Sequence, residues 1–204
     1  MTSKQLNMYT GGGLSHPSKM PCPSYSIPAD RCKTGGKLRR VNNSTCSDCY
    51  ACKGFYNFPN VHERLEARYH SINNPQWVEA MVTLITPHEY FRWHDSGDLQ
   101  SLSHFKRIVQ ICRRTPRTQH WLPTREPQII KQYLKQGGTL PTNLTIRISA
   151  ALIDSDHYTH VAGCQGSGVY TTGYTCPAPH QGNQCQDCRI CWDQTIEFVT
   201  YKKH

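Results

Sequence analysis

Apolar and polar positions follow one another in the middle of the chain in a way that predicts short strands and amphipathic helices in turn. The apolar runs Tyr90–His94, His120–Pro123 and Leu144–Ser149 have the length of strands. Helical spacing of apolar positions separates them, over Leu102–Arg114 and Glu126–Gln136. Because strands that alternate with helices are typical of βα units, this pattern predicts an α/β fold with a largely parallel sheet.

More elements are predicted on both sides of this region. Val61–Tyr69 has helical spacing, with Asn60 as its N-cap. A second helix is expected to begin near Asn74–Pro75, since proline is favoured in the first turn. Toward the C terminus, Val169–Thr172 and Ile196–Tyr201 predict two further strands.

The ends of the chain lack this periodicity and are rich in residues that form loops. With 204 residues, the chain is long enough for one domain with a core. We therefore expect a single domain over 1–204, with a loop-rich arm (1–45), an α/β body (46–175) and a C-terminal segment (176–204). Gly, Pro, Ser and Asn are abundant in the arm.

The composition indicates a modest core. The mean hydropathy is −0.64 and the hydrophobic fraction is 37%, so bound metal would supply part of the folding free energy. No long apolar run and no apolar N-terminal segment are present. We expect a soluble protein of a reducing cytoplasm with no membrane partner.

The chain contains eleven cysteines, and six of them form two runs of identical spacing. These runs are Cys46-x2-Cys49-x2-Cys52 and Cys185-x2-Cys188-x2-Cys191. The odd count and the lack of an export signal argue against a disulfide framework. Thiolates two residues apart can converge on one soft metal, so both runs predict metal ligands.

A fourth thiolate is available for each run. Cys176 completes the second set, and Cys32 is the nearest candidate for the first, with Cys22 and Cys164 as alternatives. Cys32 could instead be a buried apolar thiol. A third cysteine at this spacing is surplus to a zinc ribbon and typical of ferredoxin-like runs, so [4Fe–4S] clusters are favoured and zinc is the alternative.

The number of clusters is left open, because the two runs could converge on one centre. If the first run alone held a cluster, one iron would lack a thiolate. An open iron can bind a substrate or S-adenosylmethionine, which gives the first run catalytic potential.

The densest polar group outside the cysteines follows the predicted strand Tyr90–His94. Polar side chains at the carboxyl ends of parallel strands commonly build sites. We predict His94, Ser96 and Asp98 as catalytic residues, and Ser96, Gly97 and Asp98 as cofactor-binding residues, because glycine permits close approach and a carboxylate can accept from an amino group or a ribose hydroxyl. The alternative is that Asp98 caps the next helix and His94 is a satisfied rim residue.

The net charge of +9 permits a nucleic-acid partner without establishing one. Two other functional classes are therefore alternatives to a redox enzyme. One is a non-catalytic, metal-stabilised module that binds nucleic acid or a host protein. The other is an electron-transfer protein with fully ligated clusters. No P-loop, dinucleotide fingerprint or nucleophile elbow is present.

Several motifs over roughly residues 20–193 resemble the bacteriophage gene-product-88 domain family. They are Ser26-Ile27-Pro28-Ala29, Cys32-Lys33-Thr34-Gly35, Cys46-x2-Cys49-Tyr50-Ala51-x-Lys53-Gly54, Arg92-Trp93-His94-x-Ser96-Gly97-Asp98, Cys176-Pro177-Ala178 and Cys185-x2-Cys188-Arg189-x-Cys191-Trp192. The resemblance implies a phage source and the host-cell cytoplasm as the setting.

The first cysteine run, followed by βα units, is also distantly similar to radical S-adenosylmethionine enzymes. By this likeness Cys46, Cys49 and Cys52 would hold the cluster, and Ser96-Gly97-Asp98 would stand where the family's cofactor-binding motif stands. It implies a truncated βα-barrel, about half of a six-strand barrel. The resulting hypothesis is a phage iron–sulfur protein, redox or radical-type, that acts on an unidentified substrate.

Overall fold

A six-stranded, all-parallel sheet lies at the centre of the fold. The computed structural model describes residues 1–203. The strands lie in the sheet in chain order, without reversal: β1 (Ser24–Tyr25), β2 (Tyr90–Trp93), β3 (Gln119–Thr124), β4 (Leu144–Ser149), β5 (Gln165–Tyr170) and β6 (Phe198–Lys202). The predicted α/β class and parallel sheet are thereby confirmed.

Six α-helices accompany the sheet in the described part of the chain. They are α1 (Ser3–Thr10), α2 (Lys33–Leu38), α3 (Pro59–Ser71), α4 (Trp77–Ile85), α5 (Leu102–Arg114) and α6 (Pro127–Lys135). Short 3₁₀ turns occur at Ala29–Arg31, Tyr50–Cys52, Gly54–Asn57 and Ala178–His180. Within residues 1–203, no helix has the length and apolarity needed to cross a bilayer.

The N-terminal arm, predicted to be rich in loops, also contains α1, α2 and β1. The first helix is closed by a capping box between Thr2 and Gln5. The first strand has two residues and is too short to show alternation. Helix α3 begins at Pro59, so Asn60 lies inside the helix and is not its N-cap. Proline is favoured at this position because its missing N–H would be unpaired there.

One face of the sheet packs on helices α4, α5 and α6. Residues Phe91, Trp93, Leu122, Ile146 and Ile148 point to this side and belong to the main hydrophobic core. Alternate residues of a strand face opposite sides. The helices and this face of the sheet therefore enclose the principal core.

The opposite face of the sheet is covered by the C-terminal segment that carries the second cysteine run. Arg147 on β4 is fully buried there and donates to five backbone carbonyls. Thr145 Oγ1 donates to the Trp192 carbonyl at 2.6 Å, and Trp192 Nε1 donates to the Phe91 carbonyl at 3.0 Å. The second cysteine run is thus fastened directly to the sheet.

Candidate metal centres

The first group of thiols comprises Cys32, Cys46, Cys49 and Cys52, next to the carboxyl ends of β1 to β3. Cys32 and Cys46 both border Gly35, where an added Cβ would lie 3.2 Å from Cys32 Cβ and 3.4 Å from Cys46 Sγ. Burial raises the pKa of Cys32, and the charges of Asp98, Cys49 and Cys46 raise it further.

The remaining thiols of this group are linked through Cys49. Burial raises the pKa of Cys52 to about 11, and the charge of Cys49 adds to the effect. Burial is also the main cause of the raised pKa of Cys46. The charge of Arg125 lowers that pKa, and the charge of Cys49 raises it. Cys32 therefore lies with the first run, as the sequence predicted, and we name these four thiols the first centre.

The carboxylate of Asp95 fixes the loop that carries the first centre. Its Oδ1 accepts from Ser24 Oγ at 2.6 Å and from Ser26 Oγ, and its Oδ2 accepts from Tyr56 Oη at 2.8 Å. Its backbone carbonyl accepts from Tyr50 Oη. Since both tyrosines belong to the turns around Cys52, Asp95 joins the cysteine loop to the ends of β1 and β2.

Asp98 lies between the first centre and β3. Its carboxylate accepts from the Leu99 N–H at 2.7 Å, from Thr124 Oγ1 at 2.6 Å and from the Arg125 N–H at 2.8 Å. Burial nevertheless raises its pKa to about 6. Helix α5 is capped by Ser101 and not by Asp98, so the capping alternative is wrong.

The other predicted residues around Asp98 lie in different surroundings. Gly97 has φ +83° and approaches Ile27 so closely that a Cβ would lie 2.2 Å from Ile27 Cγ1. The hydroxyl of Ser96 is buried without a hydrogen-bond partner in the described structure. Gly97 therefore serves the packing of this turn against the segment that follows β1.

His94 points into the core and not toward the first centre. It has φ +56°, and its ring lies 5.3 Å from that of His104. Neither ring nitrogen has a hydrogen-bond partner in residues 1–203, and burial lowers the pKa of His94 well below its usual range. Its catalytic role stays a prediction, and Asp98 is the predicted residue that the structure places beside cysteines.

The second group of thiols has five members, and we name it the second centre: Cys22, Cys176, Cys185, Cys188 and Cys191. Burial raises the pKa of Cys191 to about 12. The charge of Cys176 also raises this pKa, whereas a hydrogen bond from Tyr201 and the charge of Arg147 lower it. The Cys191 Sγ to Tyr201 Oη distance is 3.3 Å. Cys22 is the member that sequence spacing did not assign here.

Arg92 on β2 lies between the two centres. Its guanidinium stacks on the Trp121 ring at 4.5 Å, and its Nη2 lies 3.5 Å from Tyr50 Oη. Its charge lowers the pKa of Cys22 and of Cys191, where burial is the largest and opposing cause. One cation thus connects the loop of the first centre with the thiols of the second.

Neither centre contains a compact set of three sulfurs. Within residues 1–203, no three cysteine sulfurs lie within 4.8 Å of one another. In the described part of the chain, the one group of three candidate ligand atoms at that spacing is Asp30, His62 and Glu66, on the surface. There Arg31 already pairs with Glu66 at 3.1 Å.

A family model described as Gene product 88 matches residues 2–194. The chain belongs to the gene product 88 family. This result confirms the resemblance drawn from the cysteine and Ser-Gly-Asp motifs and extends it over nearly the whole chain. No curated protein and no solved structure matches. The family match gives no support to the likeness with radical S-adenosylmethionine enzymes.

Sequence reasoning missed the residues that support the centres. Arg147, Tyr50 and Tyr56 contact the cysteines or hold their loops. An arginine inside the apolar strand β4 was the one local signal, since a charge is seldom fully buried unless it is paired. The others lie far from their partners in sequence, so spacing could not indicate their roles.

Proposed function

We propose that this member of the gene product 88 family is an iron–sulfur protein with two [4Fe–4S] clusters, one at each centre, and that its activity is redox. The runs at both centres have the x2 spacing of ferredoxin-like ligands. Each centre offers at least four thiols, which is what a fully ligated cubane needs. Cations lie beside both sets and offset the negative charge of such a cluster.

The lack of any three sulfurs close enough to share one zinc ion is the observation that carries the proposal. Zn–S bonds of about 2.3 Å place the sulfurs of a tetrahedral zinc site about 3.8 Å apart. The thiolates at the corners of a cubane lie about 6 to 7 Å apart. Since no three cysteine sulfurs in residues 1–203 lie within 4.8 Å of one another, the arrangement fits a cluster better than a zinc ion.

The first centre is the better candidate for exchange with a substrate or a redox partner. Cys32, Cys49 and Cys52 are half-buried, and Tyr50 is 40% exposed. The centre also lies next to the carboxyl ends of parallel strands, where α/β proteins commonly bind ligands. A sequential, all-parallel sheet is the strand order of a partial βα-barrel, and we include that architecture in the proposal.

Binding of S-adenosylmethionine belongs to this proposal only if Cys32 does not ligate. Four thiolates around one cubane leave no open iron, and Cys32 and Cys46 both border Gly35. Isothermal titration of S-adenosylmethionine into anaerobic protein distinguishes a first cluster with an open iron from one that Cys32 closes. Binding by the wild type that is lost in Asp98→Ala supports the radical-type enzyme. Binding that appears only in Cys32→Ala supports a redox protein with a closed cluster.

The main test assigns a cluster to each centre. We expect Cys46→Ser/Cys49→Ser and Cys185→Ser/Cys191→Ser each to halve the iron and the acid-labile sulfide of the anaerobic protein. Cys112→Ser is the matched control, because Cys112 is buried in the main core outside both centres. Equal iron in all four proteins would refute the proposal, and zinc without sulfide would replace it with a zinc protein.

A nucleic-acid-binding role is the second candidate, and an exposed aromatic pair favours it. Phe55 is 77% exposed and Phe58 51% exposed, with ring centroids 5.3 Å apart, beside Lys53. Exposed aromatic rings next to cations can stack on unpaired bases. Retardation of single-stranded DNA that weakens steeply with salt and disappears in Phe55→Ala/Phe58→Ala would support it. Leu152→Ala, at another exposed apolar residue, is the control.

A further inference from the structure

We infer that Cys22 is a ligand of the second centre, so that the metal joins the N-terminal arm to the C-terminal segment. This inference rests on the proposed function, since it assumes that the second centre holds metal. It departs from the ligand set suggested by spacing, in which Cys176 completes the run Cys185-x2-Cys188-x2-Cys191. Only folding brings Cys22 to these residues.

Packing places Cys22 against the end of the cysteine run. It is 5% exposed and shares a small apolar cluster with Cys191, Trp121 and Trp192. This cluster is separate from the main core between helices and sheet. Cys22 is therefore not one more apolar residue of the main core.

The backbone of the arm is fastened to the start of the same run. The Cys185 N–H donates to the carbonyl of Lys19 at 2.9 Å. Met20 packs against the cluster of Cys22, and its Sδ lies 3.3 Å from Nη1 of Arg92. Both ends of the run thus meet the arm, one through its backbone and the other through the Cys22 side chain.

The charges around Cys22 suit a ligating thiolate. Arg92 and Arg189 lie within electrostatic range of its sulfur, and so do Cys185 and Cys191. Two cations and two further sulfurs around one buried sulfur is the environment expected for a thiolate bound to metal.

Cys112 shows what a non-ligating buried thiol looks like in the same protein. It is fully buried in the main core, and burial raises its pKa, with Trp93 as its side-chain partner. No other cysteine contributes to that shift. Cys22 differs from it in having two thiols and two guanidinium groups as neighbours.

The test places Cys22→Ser in two backgrounds and measures iron, zinc and sulfide. In Cys46→Ser/Cys49→Ser, where the second centre alone remains, we expect Cys22→Ser to reduce the residual metal at least fivefold. In Cys185→Ser/Cys191→Ser, we expect it to remove nothing further. Cys164→Ser is the matched control, since Cys164 lies in neither centre. Full metal retention, or loss only in the second background, would overturn the inference.

Limited proteolysis of the wild-type protein gives a readout that does not depend on the folding of a variant. Trypsin cleaves after Lys19, whose carbonyl is bonded to Cys185. We expect this bond to be resistant in the loaded protein and cleaved at least tenfold faster after chelation. Unchanged cleavage would contradict the inference. If the wild type contains zinc and no sulfide, only the iron–sulfur proposal is refuted. The ligand role of Cys22 would then be tested by the zinc content of the Cys22→Ser variants.

Discussion

Replacing Arg147 by methionine tests how the second centre is fastened to the sheet. The guanidinium donates to the carbonyls of residues 166, 190, 191, 193 and 196 over 2.7 to 3.3 Å. Within residues 1–203, the carbonyls of Cys191, Asp193 and Ile196 accept hydrogen bonds from this guanidinium and from no other group. Arg147→Met leaves these three groups unpaired.

The cost follows from those unpaired carbonyls. An unsatisfied buried acceptor costs about 1–3 kcal/mol, and of these three residues Cys191 is buried, Asp193 is exposed and Ile196 is half-buried. Losing each of the two part-buried bonds costs about 0.5–1.5 kcal/mol, so the three losses together amount to about 2–6 kcal/mol. Methionine recovers part of this, since the buried guanidinium no longer has to be desolvated. We expect the free energy of unfolding to fall by about 2–4 kcal/mol, a large share of the stability of an ordinary domain.

Anaerobic urea unfolding, followed by tryptophan fluorescence, measures this loss. Trp192 lies in the fastened segment and its ring is 5.3 Å from that of Trp121, so the signal reports on this region. Arg113→Met is the control, because this exposed arginine bonds only Thr139, and we expect a change below about 0.5 kcal/mol. A loss below about 1 kcal/mol for Arg147→Met would refute the reasoning.

Three further predictions concern the core and the first centre. Burial lowers the pKa of His104 and of His120 to about 3. Below pH 6.5 the native state therefore binds fewer protons than the unfolded state. As the pH falls, the free energy of unfolding should decrease by up to about 1.4 kcal/mol per pH unit for each histidine. Urea unfolding from pH 6.5 to 4.5 measures this pH dependence of the unfolding free energy. His120→Gln should remove the contribution of one histidine from it, and an unchanged pH dependence would contradict the lowered pKa of His120. Gly97→Ala should destabilise the fold by about 2–4 kcal/mol, because of its positive φ and the 2.2 Å approach to Ile27; thermal unfolding measures it, with Gly36→Ala, which meets nothing within 4 Å, as control. Asp95→Ala should release Tyr56 and lower the metal content of the first centre alone, whereas the exposed Asp154→Ala should not; equal loss from both centres would show a general folding defect.

Sequence periodicity predicted the middle of the fold well because its elements are long and strongly patterned. Helix α5 and strand β4 begin and end where the pattern placed them. Strand β1 was missed, since two residues cannot display a period and its pairing with β2 is set by distant residues. The sheet therefore has six strands, where the pattern and the likeness to a half-barrel predicted fewer.

The candidate sites were predictable only as far as local spacing reached. Cys32 and the two runs could be grouped from their distances along the chain. Cys22 could not, because 163 positions separate it from Cys185 (185 minus 22) and only the packing of the arm on the sheet joins them. His94 looked like a rim residue from its place at the end of β2, but its positive φ turns the ring into the core.

Iron and acid-labile sulfide in wild-type protein purified without oxygen test the central claim most directly. The account predicts about eight irons and about eight sulfides per chain, with an electron paramagnetic resonance signal after reduction by dithionite. Zinc with no sulfide, or protein that binds no metal under reconstitution, would contradict it.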